Sequence, residues 1–210
     1  MTDYFEVLDR DGAARIGELR LDEPLVTPAL LGDVLVDSGS LWTADQPVPA
    51  GDDDRLSALP HRSLPAGTRE EVREAFATEA VDVDFPAAAV VSSESPDDLG
   101  VDAYILSDAS GFVGHGEGLK DAIIRAKDAL PADTALVLSG VATPLNVATL
   151  VYAGVDAVDA KLAKVKGSQG KYLTSDDEAF LEDLDELPCA CAACQQPRSE
   201  FTREDCIDHN

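Results

Sequence analysis

The sequence is poor in lysine, has no long apolar run, and holds no cysteine before residue 189. No apolar stretch approaches the roughly 18 residues a membrane-spanning helix needs, which excludes that class of anchor. The opening MTDYFEVLDRDG lacks a basic-then-apolar pattern, so a secretory signal is not expected and a cytoplasmic setting is. No internal repeat is visible. Apolar residues still make up 45% of the 210, enough for a real core in one large domain or two small ones, and too many for wholesale disorder.

The charge balance is one-sided. Six Lys and 10 Arg face 27 Asp and 14 Glu, a formal charge of -25. The acids run from Asp3 to Asp208 instead of gathering in a tail. At ordinary salt such self-repulsion destabilises a fold, whereas molar salt screens it within ~3 Å. Asp over Glu and Arg over Lys therefore point to a salt-rich cytoplasm. Taken alone, the charge argues against nucleic-acid binding, an inference that loses force where the whole proteome is acidic.

Tyr4–Leu21 reads as two strands joined at Asp11-Gly12. Leu25–Val36 is mostly apolar around Thr27-Pro28, a buried strand with a short connection. Residues 37–68 are rich in Pro, Gly and Asp and read as loop, with one strand near Leu56–Leu59. Thr68–Ala80 reads as a helix capped by Thr68. The second half alternates cleanly. Strands are expected at Pro86–Ser92, Ala103–Ser107, Thr134–Ser139 and Val155–Val158, and helices at Glu117–Leu130 and Pro144–Ala153, the last stopped by Gly154. Continuous apolar strands separated by helices imply a parallel sheet. Working residues should then lie at the strands' carboxyl ends: 107–116, 140–143 and 159–170.

Cys189, Cys191 and Cys194 form C-A-C-A-A-C after Pro188, and His209 follows. Three clustered sulfurs and a distant imidazole supply the four ligands of a tetrahedral Zn²⁺. Cys206, three residues before His209, is the rival fourth ligand. Disulfides fit neither the cytoplasmic setting nor the clustering. Four protein ligands leave no place for an activated water, so the zinc reads as structural. No H-x-E motif lies near the cysteines, so the zinc-deaminase reading fails.

Four of the six lysines, Lys161, Lys164, Lys166 and Lys171, fall in an 11-residue stretch free of Asp and Glu. That local inversion of charge is a candidate phosphate contact, read as one basic loop; the alternative is a solvated loop paired with acids such as Asp156. Gly111–Gly118 (GFVGHGEG) is a strand–helix turn that lacks the P-loop ending and the dinucleotide fingerprint. His115 within it is a candidate proton carrier. Trp42 and Phe112 are candidate base-stacking residues, with burial the equal alternative. His61 carries no readable signal.

GVATPLNVATLVYAGVDAVD, GKYLTSDDEAFLEDLDELPCACAAC and the final His209-Asn210 together resemble the tRNA-guanine transglycosylase superfamily, and within it the amino-terminal part of the haloarchaeal archaeosine-synthase branch. FEVLDRDGAARIGELRL…TPAL is similar to that family's N-terminal hairpin; residues 37–80 match poorly. The resemblance implies a (β/α)₈ barrel with a zinc subdomain. At 210 residues against the ~250 of a typical barrel, a partial or reduced α/β TIM-like barrel with a C-terminal Cys₃His zinc knuckle is expected. The expected parts are 1–85, an N-terminal hairpin and loop-rich part of the barrel; 86–175, a βαβαβ barrel half; and 176–210, a helix and zinc-binding segment.

The family's nucleophilic Asp, which attacks the ribose, corresponds to Asp159, and Gly140 falls in the matched substrate-side segment. Asp37-Ser38-Gly39-Ser40 looks like the family's base-recognition D-S-G-G but comes too soon after Thr27-Pro28, so it reads as a capped turn. The branch acts on tRNA carrying a nitrile-bearing deazaguanine, preQ0, and adds a nitrogen nucleophile. Its distinctive chemistry is associated with carboxyl-terminal domains, so this chain is expected to be a fragment or one half of a split protein. Expected partners are tRNA, those domains on the same or another chain, and a second copy of the chain. A transglycosylase exchanging guanine for a deazaguanine, and a non-catalytic zinc-bearing tRNA-binding module, are the alternative readings.

Overall fold

The computed structural model describes residues 4–37, 51–60, 68–75, 83–94 and 96–210. The readings of Ser38–Ser40, Trp42 and His61 lie outside them.

Strands β1 (Phe5–Asp11) and β2 (Ala14–Leu19) form the expected hairpin, turning at Gly12, whose φ of +64° suits glycine. β3 (Leu25–Thr27) adds antiparallel to β2. Gly17 in β2 is required by contact: a Cβ there would lie 2.5 Å from the Phe5 ring. Next come β4 (Ala29–Leu30), β5 (Leu35–Asp37), β6 (Leu56–Ala58) and α1 (Glu70–Ala75). They are followed by β7 (Ala87–Val91), β8 (Ala103–Leu106), α2 (Gly116–Ala129), β9 (Ala135–Leu138), α3 (Val147–Tyr152) and β10 (Ala157–Val158). The chain finishes with α4 (Lys161–Ser168), the ribbon of β11 (Lys171–Leu173) and β12 (Glu178–Phe180), and α5 (Arg203–His209).

The main sheet has seven strands in the order β4-β10-β9-β8-β7-β6-β5, all pairs parallel. Its edges, β4 and β5, are joined by only Leu31–Val34. A flat sheet would set them ~29 Å apart, at about 4.8 Å per strand. The five Cα steps from Leu30 to Leu35 reach at most ~19 Å. The sheet must curl, and it is the reduced TIM-like half-barrel that the alternating pattern and the resemblance imply.

Both faces of the sheet are buried. Along β7 and β8, Ala87, Ala89, Val91, Tyr104 and Leu106 join an outer core with Leu119, Ile123 and Ala126 of α2. The intervening Ala88, Val90, Ala103 and Ile105 join an inner core with Phe5, Leu19 and Leu31. Period-2 side chains with both sets apolar explain the continuous hydrophobic strands.

The strands' amino ends are plugged by the hairpin. Arg15 donates to both carboxylate oxygens of Asp156 at 2.6 Å, to the Ala132 carbonyl at 2.6 Å and to the Thr134 carbonyl, with its guanidinium 5.3 Å from the Phe5 ring centre. Asp102 caps two further N–H groups there, Tyr4 and Ala87, each at 3.1 Å.

Three expectations shift. Leu25–Val36 is three short strands rather than one. The helix read from Pro144 begins at Val147, because Asn146 turns back, accepting from the Thr143 N–H at 2.8 Å and donating to the Val141 carbonyl at 2.9 Å. The basic stretch is not a loop: residues 161–168 are α4. Of the helix read over 68–80, residues 70–75 are helical and 76–80 lie outside the described residues. Among the described residues no helix is long and apolar enough to cross a membrane.

Candidate active face and metal centre

At the carboxyl end of the sheet, β10 runs into Asp159, two residues before α4 begins. Asp159 is 8% exposed, and its carboxylate is met by donors on both oxygens. Oδ2 accepts from the Ser139 hydroxyl at 2.5 Å, with the Lys161 ammonium 3.4 Å away. Oδ1 accepts from the N–H groups of Gly140 at 2.9 Å and Lys161 at 3.1 Å. Lys161 Nζ also donates to Ser139 Oγ at 3.2 Å. Burial pushes the Asp159 carboxyl up, but the Ser139 hydroxyl, the two backbone N–H groups and the Lys161 ammonium outweigh it and hold it below its ordinary value. The result is a fixed, ionised carboxylate facing the end of the barrel where substrates bind in such folds. Gly140 carries φ +71° and turns its N–H onto that carboxylate, so its link to the site runs through Asp159.

Asp159 also lines a cavity of about 370 Å³, together with Leu30, Val147 and Val151 of α3, Val155, Ala163 of α4 and Asn210. Its lining is apolar apart from a few groups, Asp159 and Asn210 among them.

The lysines divide. Lys161 pairs with Asp159 with its own side chain 64% exposed. Lys166 and Lys171 both bind Glu178, which draws that carboxyl down. Asp156, the acid considered for them, is taken by Arg15 instead. Lys164 is exposed. Much of the local positive charge is thus neutralised within the fold, and Lys161 and Lys164 are the two that project.

In the glycine-rich turn, Gly116 opens α2 and His115 is exposed just before it, without a capping side-chain bond. His115 is not among the partners of Asp159. Phe112 is half-buried, packs on the outer core and lies over Gly118, where a Cβ would come within 2.9 Å of its ring.

The C-terminal segment gathers Cys189, Cys191, Cys194 and His209, with one ligand atom from each within 4.8 Å of all the others. His209 Nδ1 lies 3.4 Å from the sulfurs of Cys191 and Cys194. Tetrahedral Zn–S bonds of ~2.3 Å and Zn–N bonds of ~2.0 Å place neighbouring ligand atoms ~3.5–3.8 Å apart, so the cluster can hold a metal ion. The outer contacts agree with that use. His209 Nε2 donates to the Leu173 carbonyl at 2.7 Å, which leaves Nδ1 as the lone pair facing the sulfurs. Tyr172 stacks on the imidazole with ring centres 4.0 Å apart, its hydroxyl 3.2 Å from Cys194 Sγ. Cys206 is fully buried against Tyr172 and Phe201, lies outside the group, and burial pushes its thiol up. His209, not Cys206, is the fourth member.

Three contributors carry no signal of their role in the sequence. Ser139 reads only as the end of a strand, yet it supplies the closest donor to Asp159. Arg15 reads only as part of the hairpin. Asn210 reads only as part of a motif, yet its side chain ties together Leu173, Lys171 and Ala163.

A family model described as queuine tRNA-ribosyltransferase matches residues 63–206, more than half of the chain. The chain is 66% identical over all 210 residues to an archaeosine synthase of Haloferax volcanii, covering 36% of that protein. It is 33% identical over 219 aligned positions to the archaeosine synthase subunit alpha of Methanosarcina acetivorans, covering 92% of this chain and 35% of that one. A tRNA-guanine(15) transglycosylase of Haloferax volcanii is 34% identical over 137 residues, 65% of this chain and 23% of its own length. The chain therefore spans about a third of the length of the two archaeosine synthase relatives. With the match running through the barrel strands, Asp159 and the cysteine cluster, the chain belongs to the queuine tRNA-ribosyltransferase family.

Proposed function

We propose that the chain is the transglycosylase-like part of an archaeosine-synthase-type transferase, acting in the 7-deazaguanine pathway on tRNA that carries preQ0. The observation that carries this reading is the 66% identity across the full chain with a protein of that name. Asp159 is the candidate catalytic group, ionised and held at the carboxyl end of β10. Lys161 and Lys164, both exposed on α4, serve in this reading as phosphate contacts, with Lys166 and Lys171 joining them once RNA competes with Glu178. The Cys₃His cluster takes zinc in a structural role, because four protein ligands close its coordination. We keep the expected division into 1–85, 86–175 and 176–210 as the working parts, with further catalytic domains supplied on the same or another chain.

The test is nucleoside analysis of preQ0-containing tRNA after incubation with the chain, alone and with the remaining domains of the Haloferax-type enzyme. Conversion that is lost in Asp159→Asn supports the reading. Release of the modified base in exchange for guanine would indicate the transglycosylase instead. Tight tRNA binding with no conversion under either condition would leave the tRNA-binding module. For the metal, Cys191→Ser should lose bound zinc and unfold the C-terminal segment; full zinc occupancy in that variant would overturn the assignment.

A further inference from the structure

The metal cluster and Asp159 lie in different parts of the chain but share one helix. α4 begins at Lys161, whose N–H caps Asp159, and ends against α5, which carries His209. Where the two helices cross, Gly167 is in backbone contact with α5. A Cβ on it would lie 2.9 Å from the Cys206 carbonyl oxygen and from backbone atoms of Ile207. From that helix the chain passes to His209, which reaches the sulfurs with Nδ1 and the Leu173 carbonyl with Nε2.

Asn210 completes the connection. Its Oδ1 accepts from the Leu173 N–H at 3.0 Å, while Nδ2 donates to the Lys171 carbonyl at 2.8 Å and to the Ala163 carbonyl at 3.2 Å. Ala163 is in the first turn of α4, two residues past Lys161. One residue after the metal-ligand histidine, a primary amide thus grips both the ribbon under the cluster and the helix under the candidate catalytic carboxylate.

We propose that Asn210 is a positioning residue that couples the Cys₃His centre to the Asp159 site, by holding the first turn of α4 to β11 when the cluster is closed. Binding of metal at the cluster orders His209, His209 carries Asn210 with it, and Asn210 sets the turn from which Lys161 meets the carboxylate. An open cluster releases that turn. The proposal rests on Asp159 marking the working face. Its readout is backbone exchange rather than turnover, so its failure is distinguishable from failure of the functional reading.

The experiment is amide hydrogen exchange by mass spectrometry on the full chain, with zinc content measured in parallel. Asn210→Asp keeps the Oδ acceptor for Leu173 and removes both Nδ2 donations. With zinc retained, peptides covering 160–166 should exchange about tenfold faster, while those over Ala87–Val91 and Ala135–Leu138 stay unchanged. Gly167→Ala forces α4 away from α5 with Asn210 intact and should give the same local signature, which guards against misfolding of a single variant. Chelation of zinc from the wild-type chain should loosen 160–166 together with the C-terminal segment. Wild-type exchange over 160–166 in Asn210→Asp, or in the chelated protein, overturns the coupling. So does an increase spread evenly over the barrel strands.

Discussion

Two aspartates bracket β10, three residues apart, and the sheet gives them opposite surroundings. Asp156, at the amino end, is completely buried and locked to Arg15 of the hairpin through two 2.6 Å bonds. It also accepts from the Leu136 N–H at 2.7 Å. Asp159, at the carboxyl end, is almost as buried, but its partners are a hydroxyl, two backbone N–H groups and one lysine free to swing into solvent. The first arrangement has no movable part and closes the barrel. The second holds a charge ready while leaving its counter-ion able to leave. The same side chain on the same strand is a rivet at the amino end of the sheet and, in the proposed function, the working group at the carboxyl end.

The sharpest way to break this contrast is to remove each carboxylate's partner. Arg15→Ala leaves Asp156 as an unpaired buried charge and should cost about 3–5 kcal/mol in denaturant unfolding at the salt where the chain is folded. A loss under 1 kcal/mol would mean that the plug is not held by this pair. Ser139→Ala at the other end should cost about 1–2 kcal/mol, because a buried charge-assisted bond is lost while three other donors remain. The pH dependence of that loss has a fixed sign. A carboxyl whose folded pKa is depressed contributes stability above its unfolded value of ~3.9, and that contribution is lost as pH falls through the lower folded value. The difference between wild type and Ser139→Ala should therefore be full at pH 7 and shrink as pH falls below about 4. A difference that grows in acid would contradict an ionised Asp159. Lys161→Ala should change stability least, by less than ~1 kcal/mol, since its head is largely exposed and screened. It should weaken tRNA binding and flatten its salt dependence by about one phosphate's worth. Unchanged tRNA affinity and salt slope in Lys161→Ala would remove it from the interface.

Legibility in the sequence followed the range of the interactions. The strands at 87–91, 103–106 and 135–138 and the helix at 116–129 were readable because burial on two faces, or one, writes itself into local periodicity. The Cys₃His group was readable because metal ligation demands residue types that little else places so close together. α4 leaves no local signature, for a physical reason. Its buried positions are Ala163 and Gly167, one turn apart, and a face of small residues packed on a backbone leaves no hydrophobic stripe. The Arg15–Asp156 pair spans 141 residues, so no local pattern announces it. Ser139 and Asp159 meet only because β9 and β10 are neighbours in register, Leu138 beside Val158.

The contrast between the two ends of β10 is tested most directly by comparing Asp156→Asn and Asp159→Asn for both thermal unfolding and conversion of preQ0-containing tRNA in the complete enzyme. Asp159→Asn should lower the midpoint by roughly 5–10 °C, well short of the loss in Asp156→Asn, and lose conversion by at least ~10³-fold. Asp156→Asn should lose several kcal/mol of stability, and the fraction that remains folded should convert tRNA normally. Full conversion by Asp159→Asn, or a wild-type midpoint in Asp156→Asn, would contradict the account.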